Sequence, residues 1–327
     1  MNRRTWFVSR WAAVTACLLL MAMSAANGDT KSDAQTQPLT KGQRVFTCGH
    51  SFHVWVVRIL DEMAKAAGID HEVAGVSSIG GSRVIQHWDV AEEKNKAKKA
   101  LRAGKVDVLT LSPIWLVPPK DLKAVTPVPG DTREIKWLPD EGIEKFAKLA
   151  LEHNPNIRIT VQEYWLPNDE YVSVYPLQTK KKVDHDATNL AELRKCQARY
   201  DHDVDECVRA INKRLGKDVI VTVSAGQAVL ALREKIVAGK APGLKTQAEL
   251  FRDSWGHPTA PVQAMATYCH FAVIYRRSPV GLPLPSIFAE NPAWDDKLNR
   301  LLQELAWDAV CKHPMSGIRA KGGQPAK

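Results

Sequence analysis

Between Val106 and Leu111 the chain reads VDVLTL, a short, nearly continuous apolar run without alternation. Such a strand offers no face to water, so it belongs inside a parallel sheet covered on both sides by helices. The flanking sequence supplies the rest. Apolar runs at Val45–Cys48, Glu72–Val76, Ile157–Tyr164 and Val219–Val223 alternate with segments of helical spacing. These helical segments start at Ser51, about Val90, Asp140, Leu190, Gln227, just after His257 and at Asp295. Strand and helix in alternation predict an α/β fold: three layers, a mainly parallel five-stranded sheet and helices on both faces. Residues 44–311 are expected to form one domain, with a charged insertion at about 168–217 that is helical over Leu190–Leu215. Residues 29–43 read as a disordered leader and 312–327 as a flexible tail.

The first 28 residues carry a different signal. Arg3, Arg4 and Arg10 precede an apolar run from Trp11 to Met23, and the small residues Ser24, Ala25 and Ala26 follow. That order describes a secretory signal peptide, cleaved near Ala26 to Gly28, and predicts a secreted or periplasmic protein with no membrane span once cleaved. Its removal takes three arginines and no acids, so the formal charge falls from +9 to +6 (9 − 3). No compact basic block interleaved with aromatics appears, so nucleic acid is not an expected partner. Neither GxGxxG nor GxxxxGK[ST] occurs, and no CxxC or HxxxH cluster, so the expectation is no cofactor and no metal. Of the remaining cysteines, Cys48, Cys196, Cys207, Cys269 and Cys311, the pair Cys196 and Cys207 is the best candidate for a disulfide.

Two stretches carry the chemistry. At Gly49-His50-Ser51-Phe52 a strand gives way to a helix, which sets Ser51 near a helix N-terminus where backbone N–H groups favour a developing negative charge. A serine there can cap the helix or act as a nucleophile. At Asp253–Thr259 the sequence is DSWGHPT, with an acid four residues before a histidine on a turn that enters an apolar helix. Nucleophile, base and a group that orients the base are the parts of a hydrolytic triad.

Together the two stretches resemble the first and last motif blocks of the SGNH (GDSL-like) hydrolase family. The resemblance implies a three-layer fold of SGNH or flavodoxin type and a catalytic set of Ser51, His257 and Asp253. It also implies an oxyanion hole from the backbone N–H of Ser51 and of Gly80 or Gly81. The Gly80-Gly81 pair follows the second strand, on the same sheet edge as Ser51 and Ser112. Three positions depart from the family pattern: His50 replaces the usual aspartate, the acid lies four rather than three residues before the histidine, and the third block's asparagine is missing.

Trp115, Trp165 and Trp255 fall near predicted strand ends or His257 and are candidate platforms for a sugar ring. The expected function is therefore an exported serine esterase acting on small-molecule or glycan esters, including carbohydrate acetyl groups. The rival from another class is a non-catalytic glycan-binding or scaffold protein that keeps the same fold.

Overall fold

The computed structural model describes residues 37–113, 141–169 and 183–318. Within them five strands form: β1 Arg44–Gly49, β2 Glu72–Ser78, β3 Val108–Leu111, β4 Arg158–Gln162 and β5 Ile220–Val223. All neighbours pair in parallel, in the order β2-β1-β3-β4-β5. The VDVLTL run accounts for β3, whose four residues are completely buried, whereas β2 lies on the sheet edge and is largely solvent-facing. Register sets Thr47 of β1 beside Thr110 of β3, and Gly49 beside Ser78 of β2.

The helices are α1 Val56–Ala66, α2 Val84–Trp88, α3 Lys96–Arg102, α4 Glu141–His153, α5 Leu190–Leu215, α6 Ala225–Val237, α7 Ala260–Tyr275 and α8 Asp296–Lys312. Helices α1 and α7 pack together, as do α3 and α4. Every residue of α7 is buried, because α1, α6 and α8 all pack on it. A helix apolar nearly all round can exist only in such a setting. Several of its polar groups bond internally: Gln263 Nε2 donates to the carbonyl of Pro258 at 3.0 Å and Thr267 Oγ1 to that of Gln263 at 2.8 Å.

Several expectations change. The segment at 168–217 does not stand outside the fold in its second half, because α5 is the crossover helix that parallel strands β4 and β5 require. It buries Leu193, Val204, Val208 and Ile211 against the neighbouring elements. Its boundaries come from local chemistry: Asn189 Oδ1 accepts the N–H groups of Ala191 and Glu192, and Gly216 ends it in the left-handed region at φ 65°. Cys196 and Cys207 both lie on this helix, eleven residues apart, and both are free. At about 1.5 Å per residue they stand roughly 16 Å apart along the axis, well beyond disulfide reach.

The expected leader also overreaches, since the Leu39 N–H donates to the Tyr275 carbonyl at 2.8 Å and Gln43 Oε1 accepts from Arg158. At the other end, His313, Ser316 and Ile318 are buried, and the Met315 carbonyl accepts from the N–H of Thr222 on β5. Residues 312–318 thus belong to the packed fold, and the rest of the expected tail lies outside the described residues. The charged helix expected from about Val90 begins only at Lys96, where Asn95 Oδ1 caps it by accepting the Lys98 N–H. The proposed signal peptide lies outside the described residues. Among the described residues no helix is long and apolar enough to cross a membrane.

Candidate active site

In a sheet of this order the chain leaves β1 in one direction for β2 and returns past it to β3. The crevice beyond the carboxyl ends of β1 and β3 is the usual ligand site of such folds. Ser51 lies two residues beyond β1 in that crevice. It is exposed on a tight turn in which the His50 carbonyl accepts the N–H groups of His53 and Val54, and regular helix begins only at Val56. Gly49 is needed for close approach, because a Cβ there would lie 2.9 Å from the Cβ of His53 packed behind it.

His50 does the work of a turn-closing side chain. It is fully buried, and its Nδ1 accepts the N–H of Phe52 at 3.3 Å, the bond by which an aspartate or asparagine closes a turn on the residue two positions ahead. Its Nε2 faces Ser112 Oγ at 3.4 Å. Burial, aided by the nearby His87, pushes the His50 imidazole down to about 3, so the ring is neutral and can accept that bond.

The core behind the turn contains further neutral histidines. His53 Nε2 lies 2.8 Å from Thr110 Oγ1, and burial holds its pKa well below the ordinary imidazole value. His270 of α7, also lowered by burial to about 3, donates from Nε2 to Gln162 Oε1 at 2.9 Å. Gln162 Nε2 in turn donates to the Phe52 carbonyl at 3.1 Å. The Ser51 turn is thereby tied through β4 to the core helix.

The histidine that meets Ser51 comes from the other end of the chain. Ser51 Oγ stands 2.9 Å from His257 Nε2, and His257 Nδ1 stands 2.6 Å from Asp253 Oδ2. Asp253 Oδ1 accepts the N–H groups of Trp255 and His257 at 2.9 and 3.2 Å. Burial acts to raise the Asp253 carboxyl, but the N–H and ring of His257, with the Trp255 N–H, outweigh it and hold the group below its usual value. It therefore stays ionised and fixes the tautomer in which Nε2 can accept a proton from serine. Gly256 closes the turn at φ 83°, a conformation that disfavours side chains.

The remaining residues named from sequence separate clearly. Gly80 and Gly81 form the turn after β2, held against β1 by the Ile79 N–H on the Gly49 carbonyl at 3.1 Å. Trp255 is 41% exposed and stacks beside His257, with ring centroids 6.1 Å apart. Trp165 differs from its expected role: it is 1% exposed, and its indole N–H donates to the Gly256 carbonyl at 3.0 Å, so it supports the His257 turn and presents no face to a ligand. Trp115 lies outside the described residues. Sequence reasoning did not single out Phe52, whose ring stacks on that of His257 at 4.5 Å, or Trp55, whose indole N–H donates to the Ser51 carbonyl at 3.0 Å. Among the described residues no group of three or more His, Cys, Asp or Glu side chains is arranged to hold a metal ion.

No protein-family profile matches the sequence, and no curated protein matches it. Solved structures do match in fold. A DUF4886 family protein from Bacteroides uniformis superposes with a TM-score of 0.52 at 13% identity, over 83% of this chain and 95% of that one. A protein from Parabacteroides merdae, provisionally described as a GDSL-like lipase, gives 0.39 at 11% identity over 72% and 95% of the two chains. The periplasmic domain of a lipopolysaccharide acetyltransferase from Salmonella ser. Paratyphi A gives 0.38 at 14% over 73% and 85%. At these identities the likeness is one of fold: this chain shares the α/β architecture of the Bacteroides uniformis protein.

Proposed function

We propose that this protein is a serine acyl-transfer enzyme of SGNH type, exported, that hydrolyses carboxylic esters and takes carbohydrate acetyl esters as its substrate class. One observation carries the reading: the serine of the β1 turn and the histidine before α7, 206 residues apart in sequence, meet at 2.9 Å with a carboxylate on the far ring nitrogen. In the proposed reaction Ser51 Oγ attacks the ester carbonyl as His257 Nε2 takes its proton. The backbone N–H groups of Ser51 and of Gly80 or Gly81 hold the resulting oxyanion, and each such donor contributes about 3 kcal/mol. Collapse of the tetrahedral species breaks the C–O bond, and the alcohol leaves with the proton from His257. Water, deprotonated by the same ring, then releases the acid and restores Ser51.

The carbohydrate assignment is supported by the exposed indole of Trp255 beside the base. That same indole, with the absent third-block asparagine, favours a second reading as a non-catalytic glycan-binding or scaffold protein. Fluorophosphonate labelling separates the two. The purified protein is expected to label, and both Ser51→Ala and His257→Ala to abolish labelling. Folded wild-type protein that does not label would sink the enzymatic reading in favour of binding.

A further inference from the structure

The turn that carries His257 is held from behind by side chains of other segments, one carbonyl at a time. The His185 ring bridges two carbonyls, with Nε2 2.9 Å from that of Asp253 and Nδ1 2.9 Å from that of Pro167, while Tyr164 Oη donates to the carbonyl of Trp255 at 3.0 Å and Trp165 Nε1 to that of Gly256 at 3.0 Å. The turn's own backbone supplies the next bond, from the Arg252 N–H to the His257 carbonyl at 2.8 Å. All three side chains are buried, with exposures of 6%, 4% and 1% for His185, Tyr164 and Trp165. Buried donors of this kind fix a backbone because leaving either partner unpaired is costly.

Tyr164 and Trp165 also reach the nucleophile side. Their rings pack on Phe52, the residue after Ser51, at centroid distances of 5.2 and 5.7 Å, and Phe52 stacks on the His257 imidazole at 4.5 Å. Tyr164 and Trp165, just past β4, therefore touch the supports of both halves of the Ser51–His257 pair. Arg233, itself buried, holds their continuation by donating to the carbonyls of Leu166 and Pro167 at 3.2 and 3.1 Å and to that of His185 at 3.3 Å.

We infer that Tyr164, Trp165 and His185 are positioning residues that hold His257 on the line between Asp253 Oδ2 and Ser51 Oγ. Only the catalytic consequence of this inference rests on the acyl-transfer reading. The proton on His257 Nδ1, shared with Asp253, reports the geometry directly and needs no turnover.

The test uses the full mature chain with ¹⁵N-labelled histidine. Tyr164→Phe removes one hydroxyl and keeps the ring on Phe52. It is expected to speed solvent exchange of the His257 Nδ1 proton about 10-fold and to slow fluorophosphonate labelling about 10-fold, the scale of one lost hydrogen bond, with the melting temperature little changed. His185→Leu should act in the same direction, and His185→Gln, whose amide can donate to the same carbonyl, should recover most of the loss. Wild-type exchange in Tyr164→Phe, or failure of His185→Gln to do better than His185→Leu, overturns the inference. Faster exchange in Tyr164→Phe of a wild-type protein that never labels leaves the positioning role standing and removes the serine-acylation reading instead.

Discussion

His257 Nδ1 lies 2.6 Å from the carboxylate of Asp253, four residues earlier on the same turn. The additional residue relative to the usual family spacing is absorbed by the turn itself, where Gly256 adopts a left-handed conformation and its N–H bonds back to the Asp253 carbonyl at 3.1 Å. The departure visible in the sequence is therefore compatible with a complete Ser–His–Asp arrangement.

Asp253→Asn is expected to reduce the labelling rate on the order of 10³–10⁴-fold, since the amide no longer fixes the productive tautomer of His257. Stability gives a second readout. The folded carboxyl titrates below its ordinary value of 3.8, so its contribution is present above that pH and is lost as pH falls through the folded value. The gap in melting temperature between wild type and Asp253→Ala should therefore close in acid; a gap that persists there contradicts the assignment.

Gln162→Leu removes the link between α7 and the nucleophile turn. It leaves the His270 ring N–H and the Phe52 carbonyl buried without their partner, at a cost of about 2–4 kcal/mol for the two groups. Urea unfolding should show that loss, and labelling should slow even where the variant is fully folded.

A buried ion pair predicts the behaviour in alkali. His313 Nε2 lies 2.8 Å from Glu163 Oε1 and 3.6 Å from Asp205 Oδ1. Burial lowers the His313 pKa, but the hydrogen bond and charge of Glu163 more than offset it, so the imidazole titrates above 6.5; burial raises Glu163 above its ordinary 4.5. Both folded values exceed the unfolded ones, so the folded state holds these protons more tightly and stability falls as pH rises. His313's contribution is complete below 6.5 and is lost as pH rises through its folded value. His313→Leu should cost about 3 kcal/mol near pH 6 and flatten the decline above 6.5 in a melting-temperature profile.

Trp255→Ala tests the substrate class. A small fluorophosphonate does not need the indole, so labelling should persist, whereas activity on acetylated oligosaccharides should fall about 10-fold with loss of one ring face. Unchanged activity on acetylated glycans would remove the carbohydrate assignment without touching the serine chemistry.

Much of the fold was legible because its central strand is buried on both faces: β3 could be read from VDVLTL alone, and the alternation of strands and helices located the sheet edge on which Ser51 lies. Helix α5 was harder to recognise as part of the core. It buries Gln197, Asp201, Asp205 and Asn212 as well as its apolar stripe, so its composition resembles that of an exposed insertion. Trp165 was misread for a related reason, since a tryptophan at a strand end has the same local signature whether its indole faces a ligand or donates to a carbonyl 91 residues away. The supports of the His257 turn, Tyr164 with Trp165 and His185, come from two separate segments and have no motif; only the folded chain brings them together.

The distance along the chain between Ser51 and His257 also orders events in time. Those 206 residues take about 10–40 s to synthesise at ordinary elongation rates. Throughout that interval the serine exists without the His257 imidazole on which the proposed reaction depends. If the proposed acyl-transfer reading holds, a growing or truncated chain would thus be chemically silent, and reactivity would arrive together with the core helix that follows His257.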